Sequence, residues 1–452
     1  ILKDAAGTAV YGARGANGVV IVVTKKGKIG TPQVNLDYNE GITTFTIRPK
    51  MLDGITYMNL VNEAKTTRGE SPQYTQEYIN NTASGIDPLL YPNVDWMKAV
   101  FNDHARNRRL NLNVNGGSDR AQYYVSLAYY NGTGFLKTDG LENYNSALKY
   151  TRYNFTSNLT VKVTNTTKLD LGLQGYVSNG NYPGENTEDI FGSALDIPPV
   201  EYPIMYPGNF IPGRSSNGGL RNPYADLTRR GYRTEFKNQL YSNLRLTQDL
   251  SFITKGLNIT GMFSFDVYNE MTTKRSKREP TYFVDQANPY NPDGTLNLGQ
   301  PTFAGGGNFL SYERGNAGRR QFYTEASVNW ERVYNSKHRL GAMALFYAED
   351  KMNNFAGDFT SSIPERYVGL ASRFTYSYDD RYFAEINGGY NGSELFAPDN
   401  RFGFFPSFGI GWVPSNEKFF EPIKNVISFL KFRYTDGNTG IGQIDGRRFA
   451  YL

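Results

Sequence analysis

Apolar and polar residues alternate along most of this 452-residue chain, in runs of about ten that tight polar turns separate. Residues 110–115 read Leu-Asn-Leu-Asn-Val-Asn, the turn Gly116–Asp119 follows, and the alternation resumes over 123–129. Such a strand has one apolar face and one polar face. Because the pattern recurs over hundreds of residues, the apolar faces need either a folded core or lipid to cover them.

The connections between the predicted strands fall into two length classes. We count roughly thirteen strands, and one set of turns is only a few residues long. The long connections are predicted at 178–237, 269–319, 349–365 and 391–401. Short turns at one end and long loops at the other are typical of an outer-membrane barrel. A soluble β-sandwich or propeller is the alternative.

Charges and aromatic residues favour lipid. In the clearest strands the apolar face carries no Lys or Arg, and Lys162 and Arg245 fall on the polar face. Aromatic residues, 15% of the chain, gather at strand ends, for example at Tyr129, Tyr382 and Trp412. Interfacial girdles of a transmembrane barrel have this placement. We therefore predict an all-β, antiparallel transmembrane barrel in the outer membrane, with membrane lipid as a partner.

Composition excludes several kinds of chemistry. The chain has no cysteine, and its net charge of +5 comes from 48 basic and 43 acidic residues. This balance gives no nucleic-acid footprint. The two histidines, His104 and His338, lie far apart, and no nucleophile elbow is present. We expect no metal, no cofactor and no catalytic residues, and hence no enzyme.

One Pro-containing insert, residues 201–210, concentrates aromatic side chains. Tyr202, Tyr206 and Phe210 lie on it, and Tyr224 follows. Aromatic faces with little conformational freedom suit capture of a sugar or peptide, so these four residues are predicted to bind substrate. The alternative is that they pack the loop onto the rim of the barrel.

The first 27 residues differ from the rest. A glycine-rich turn holds Gly12, Arg14, Gly15 and Gly18, and a continuous apolar run over Val19–Thr24 predicts a strand buried on both faces. The turn precedes a strand rather than a helix, so a phosphate-binding loop is not indicated. Between 53 and 100 the alternation gives way to helical spacing at Tyr57, Leu60, Val61 and Ala64.

Several segments resemble SusC/RagA-type TonB-dependent transporters. The residues that carry this resemblance keep the family's order along the chain: Ile1–Ala5, Ala9–Val20 and Val23–Gly27 at the end of its plug; Asn93–Trp96 and Leu112–Asn131 in its early barrel; and Asn400–Gly403, Phe405–Ser407 and Gly411–Trp412 in a later strand.

The resemblance implies a 22-stranded barrel with a plug domain. Residues 1–27 would be the C-terminal end of the plug, with the glycine turn in the lumen, and 28–452 a partial barrel with long extracellular loops. Because thirteen strands cannot close such a barrel, we expect a fragment of a longer polypeptide, without most of the plug and the TonB-contacting N-terminus.

The resemblance also implies a function. We expect active import of oligosaccharides or oligopeptides across the outer membrane, powered by the TonB complex and assisted by a SusD-like surface lipoprotein that covers the barrel. A non-transporting outer-membrane barrel for binding or adhesion is the alternative.

Overall fold

A single antiparallel sheet dominates the computed structural model, which describes residues 7, 17–214, 221–307, 309–440 and 449. The strands are β1 (Gly30–Thr44), β2 (His104–Gly117), β3 (Ala121–Thr133), β4 (Lys149–Lys162), β5 (Thr167–Pro183), β6 (Ile211–Pro212), β7 (Tyr232–Asp249), β8 (Leu257–Arg275), β9 (Thr281–Tyr282), β10 (Glu313–Tyr334), β11 (His338–Asn353), β12 (Glu365–Tyr378), β13 (Tyr382–Ser393), β14 (Phe402–Trp412) and β15 (Phe432–Gly437).

Thirteen of these strands form the large sheet in simple chain order, and the short β6 and β9 pair separately, in parallel. In the described part of the chain, β1 pairs only with β2, and β15 pairs only with β14, so these two strands lie at the sheet's edges. The predicted all-β fold with roughly thirteen antiparallel strands is confirmed.

The register keeps the alternating apolar positions of neighbouring strands on one face. Leu36 pairs with Leu112, which pairs with Leu127 on the next strand. The neighbouring positions form the polar face, where Asn35 donates to Asn113 at 3.2 Å and Ser126 donates to Asn111 at 3.0 Å. A shift by one residue would exchange the two faces, so the alternation fixes the register.

The two ends of the sheet differ, as predicted. Turns 118–120, 163–166, 250–256, 335–337 and 379–381 define the short-turn end. Connections 45–103, 134–148, 184–231, 276–312, 354–364 and 394–401 lie at the opposite, long-loop end. The connection 413–431, which joins β14 to β15, is the exception, because it is long and lies at the short-turn end.

Two of the short turns show why their residues were recognisable in the sequence. Asn335 and Ser336 have φ of 48° and 56°, and Asp379 and Asp380 both have φ of 51°. Paired positive φ angles match the right-handed twist of the flanking strands, and Asn and Asp tolerate them best among residues with a side chain.

The helices lie in the long connections. They are α1 (Gly54–Thr66), α2 (Gln76–Ser84), α3 (Trp96–Val100), α4 (Thr187–Asp196), α5 (Pro223–Thr228) and α6 (Phe359–Ser362), with 3₁₀ turns at Pro207–Asn209, Pro398–Asn400, Pro414–Asn416 and Lys418–Ile423. Helix α1 confirms the helical spacing in the sequence, and Asp53 caps it by accepting from the Thr56 amide at 3.0 Å. No helix in the described residues is long and apolar enough to cross a membrane.

The N-terminal prediction of a buried strand over Val19–Thr24 is wrong for this structure. In the described residues this segment forms only a bridge at Val19, and the side chains of Val22 and Val23 are 82% and 80% exposed. An apolar run needs a covering surface on both sides to form a buried strand, and the described residues supply none.

The residues that follow lie against the polar face of the sheet. The Asn158 side chain of β4 donates to the Lys25 carbonyl at 2.7 Å, and the Lys28 amide donates to Asn115 of β2 at 3.1 Å. The segment therefore approaches the sheet on the side opposite the apolar face.

Candidate binding site in the loop assembly

Three long connections pack together at the long-loop end, and we call residues 45–103, 134–148, 184–214 and 221–231 the loop assembly. Its core is formed by buried side chains from all three connections: Trp96, Met97, Val100, Phe101, Leu136, Ile190, Ala194, Ile197, Tyr202 and Leu227. Burial of this apolar surface gives the loops a core of their own, separate from the sheet.

Trp96 joins the first connection to the third. Its indole donates to the Pro198 carbonyl at 3.3 Å, and its ring lies edge-on to Tyr202 with centroids 5.9 Å apart. Asp95 caps the short helix α3 that positions this indole, accepting from the Lys98 amide at 3.0 Å. Tyr202 is therefore a packing residue of the assembly, with 1% of its surface exposed.

Ion pairs fasten the same loops together. Arg229 donates two hydrogen bonds to Asp139, at 3.1 and 2.7 Å, and Tyr224 donates a third at 3.2 Å. Although burial opposes it, the Arg229 guanidinium holds the pKa of Asp139 below its ordinary value. Arg229 and Asp139 are both largely buried, so their contact acts where water screens little.

A second group of charges adjoins this pair. Asp226 pairs with Arg230 at 2.8 Å and with Arg221 at 3.2 Å. Burial raises the pKa of Asp226, although both guanidinium groups counteract this effect. Lys277, from the 276–312 connection, pairs with Glu142 at 3.1 Å and also with Glu279. A fourth connection is thereby tied to the assembly.

A cavity of about 300 Å³ lies beside the Trp96–Tyr202 contact. Its aromatic walls come from three separate connections: Tyr74, Tyr78, Tyr202, Tyr206 and Phe283. Two charged residues line it as well, Glu201 and Arg214, whose side chains approach to 3.3 Å. The cavity therefore combines stacking faces, hydroxyl groups, one carboxylate and one guanidinium.

The phenols in this cavity are neutral at ordinary pH. Burial raises the pKa of Tyr74 to about 12, and the nearby Tyr57 and Glu201 add to the rise. Burial likewise raises the pKa of Tyr206 to about 12. Hydroxyl groups that stay protonated are available as hydrogen-bond donors to a ligand.

The structure separates the four aromatic residues that the sequence proposes for substrate binding. Tyr202 and Tyr206 both line the cavity, and Tyr206 is only 2% exposed. Phe210 is 41% exposed and lies edge-on to Tyr282, with centroids 4.9 Å apart. Tyr224 contributes to the Asp139 cluster instead. The sequence therefore grouped residues that the fold places in different surroundings.

Glu201, Arg214, Tyr74, Tyr78 and Phe283 are the cavity residues that sequence reasoning did not select. The available signal was a carboxylate directly before the aromatic insert, since Glu201 precedes Tyr202. Arg214 follows Glu201 by 13 positions. Tyr74, Tyr78 and Phe283 lie 127, 123 and 82 positions from Glu201 along the chain, and no local pattern connects them.

Of the glycine turn, only Gly18 belongs to the described residues, and its φ is 83°. Gly12, Arg14 and Gly15 lie outside them. Within the described residues, no group of His, Cys, Asp or Glu could hold a metal ion. His338 instead shares a hydrogen bond of 2.9 Å with Tyr376.

The chain is similar in sequence to TonB-dependent receptors, and its fold is similar to that of a solved outer-membrane importer. The TonB-dependent receptor P26 of Formosa agariphila is 27% identical over 478 residues, which covers 99% of this chain and 43% of that receptor. The TonB-dependent receptor SusC of Bacteroides thetaiotaomicron is 25% identical over 485 residues, covering 100% of this chain and 44% of SusC. No family model matches the chain.

Among solved structures, the RagAB peptide importer in its 'open-open' state superimposes with a TM-score of 0.67 at 21% identity. The match covers 98% of this chain and 51% of the RagAB chain. The resemblance to SusC/RagA-type TonB-dependent transporters is confirmed.

The shared fold indicates what covers the apolar face. The thirteen-strand sheet has the fold of an outer-membrane β-barrel. In such a barrel the apolar face of each strand contacts lipid and the polar face borders the lumen. The curated relatives are receptors and not enzymes. The chain spans less than half the length of those relatives.

Proposed function

We propose that this chain is the plug-end and early-barrel part of a TonB-dependent transporter that imports oligosaccharides or oligopeptides across the outer membrane. The observation that carries the proposal is the similarity to SusC over the whole chain, together with a sheet whose polar face borders a lumen. The loop assembly would receive the ligand at the extracellular mouth.

The boundary between plug and barrel would lie after residue 27. Residues 1–27 would be the C-terminal end of the plug, and 28–452 the partial barrel. The hydrogen bonds of Lys25 and Lys28 to Asn158 and Asn115 support this division, because they lead the chain from the lumen side onto the first strand. The turn residues Gly12, Arg14, Gly15 and Gly18 would belong to the plug.

A SusD-like lipoprotein would cover the mouth, and the TonB complex would act on the plug. Large apolar side chains on the long connections support a lid, since Phe309 and Phe359 are 90% and 78% exposed. A partner surface is one way to cover such side chains. The ion pairs within the loop assembly would stabilise the surface that the partner contacts.

Uptake by cells tests the proposal. Labelled oligopeptides and oligosaccharides are offered to cells that produce the transporter, with and without an active TonB complex. We expect accumulation of one class of ligand that disappears when TonB is absent. Surface binding that does not lead to accumulation in either strain would favour the adhesion alternative.

A further inference from the structure

Glu201 is a carboxylate that the fold holds in an aromatic cavity. Its side chain is 11% exposed. Its Oε1 atom is buried and makes no hydrogen bond in the described residues, and Arg214 Nε approaches it to 3.3 Å as an ion pair. Buried carboxylates need a cation or hydrogen-bond donors to offset the loss of hydration. Among the described lining residues, Arg214 is the single cation that meets this need.

Arg214 reaches the cavity from outside. Its side chain is 56% exposed, and its guanidinium carbon lies 4.3 Å from the centroid of the Phe283 ring. The guanidinium thus lies between an aromatic face and a carboxylate, an arrangement that favours cations. The guanidinium end of this ion pair is open to solvent, so a second cation that matches the charge of Glu201 can replace Arg214 at small cost.

We propose that this cavity binds the guanidinium or ammonium group of a basic peptide in exchange with Arg214. The inference rests on the proposed import function and specifies its ligand class. A neutral sugar carries no charge with which to replace Arg214 on Glu201, and an anion would meet the carboxylate directly. A ligand cation replaces Arg214 on Glu201 and Phe283, while the rings of Tyr74 and Tyr206 line the space around it.

Calorimetric titration of the detergent-purified full-length transporter tests the exchange, with N-acetyl-arginine amide and its neutral isostere N-acetyl-citrulline amide as probes. We expect the arginine probe to bind at least about tenfold more tightly than the citrulline probe, because a charged guanidinium forms stronger hydrogen bonds to a carboxylate than a neutral urea does. If the wild-type protein binds the two probes equally, or binds neither, the proposal is refuted.

Two variants should change the affinity for the arginine probe in opposite directions. Glu201→Gln keeps the shape of the side chain and should weaken binding of the arginine probe about tenfold. Arg214→Gln removes the internal competitor and should strengthen binding several-fold. Weaker binding by Arg214→Gln would show that Arg214 contacts the ligand itself and would refute the exchange. Glu70→Gln, in the exposed pair with Lys65, is the matched control and should leave binding unchanged.

The titration and the uptake assay can refute the cavity assignment and the import function separately. Selective binding of the arginine probe without TonB-dependent uptake would keep the cavity assignment and refute import. Uptake of oligosaccharides without selective binding of the arginine probe would keep import and refute the cavity assignment.

Discussion

The guanidinium of Arg229 is buried in the loop assembly, and the carboxylate that neutralises it, Asp139, lies on another loop. Their side chains are 5% and 14% exposed. Because both groups have lost most of their hydration, removing either one leaves an unmatched buried charge. The contact therefore holds 134–148 against 221–231 more firmly than an exposed pair would.

Arg229→Gln should destabilise the loop assembly by about 3 kcal/mol, since it leaves Asp139 without its guanidinium. Hydrogen exchange of the amides in 134–148 and 223–231 measures the change. Lys65→Gln, which removes the exposed pair with Glu70, is the control and should change protection by less than about 1 kcal/mol. Equal effects of the two variants would contradict the burial argument.

The same pair predicts a dependence on pH. The pKa of Asp139 is lower in the folded protein than its ordinary value, so the pair stabilises the fold fully above that ordinary value. Its contribution is lost as the pH falls through the lowered pKa. The stability difference between wild type and Arg229→Gln should therefore shrink in strong acid and stay constant near neutral pH.

For single residues, the sequence indicates which side chains are chemically suited to a site but not which surroundings the fold gives them. Aromatic residues of the 201–210 insert are visible in the sequence, but burial of Tyr202 and exposure of Phe210 depend on Trp96 and Tyr282, which lie far away in the chain. Glu201 was missed for the same reason. Its role depends on Arg214 and Phe283, which only the tertiary structure brings near it.

Whole strands were more predictable, because each carries its pattern within its own sequence. The predicted apolar positions all fall on one face, yet several strands are longer than predicted. Strand β8 continues to Arg275 and β10 begins at Glu313, inside the predicted loop 269–319. Beyond the lipid, both faces of a strand contact water, so the alternation that reveals a strand disappears there.

Adjacent positions on β5 test the assignment of faces. Leu173 lies on the apolar face and Gln174 on the polar face, paired with Ser157 and Thr156 of β4. Leu173→Arg should cost about 2–4 kcal/mol near the middle of the bilayer, whereas Gln174→Arg should be tolerated. Folding titrations of the two variants into lipid vesicles measure the difference. The reverse order would mean that the faces are exchanged.

For the whole molecule, the sequence predicted the sheet and the inequality of its two ends, but not the assembly of the long loops. The sheet follows from local alternation and from turns such as Asn335–Ser336. The loop assembly depends on contacts such as Trp96 with Pro198 and Arg229 with Asp139, which join distant connections. Such contacts leave no periodic signal, so only composition hints at them.

The three tryptophans of this chain can show which parts of the molecule contact lipid and which do not. Trp96 is 2% exposed in the loop assembly, whereas Trp330 and Trp412 lie on the apolar face near the short-turn end. Aromatic residues at such positions contact lipid at the membrane interface. The test uses the full-length transporter, with any tryptophan outside this chain replaced by phenylalanine. In vesicles with brominated acyl chains, fluorescence of Trp330 and Trp412 should be quenched and that of Trp96 should persist. The double variant with Trp330→Phe and Trp412→Phe should lose the quenching, and Trp96→Phe should retain it. Quenching that survives in the double variant would place the loop assembly in the bilayer, against the topology proposed for this chain.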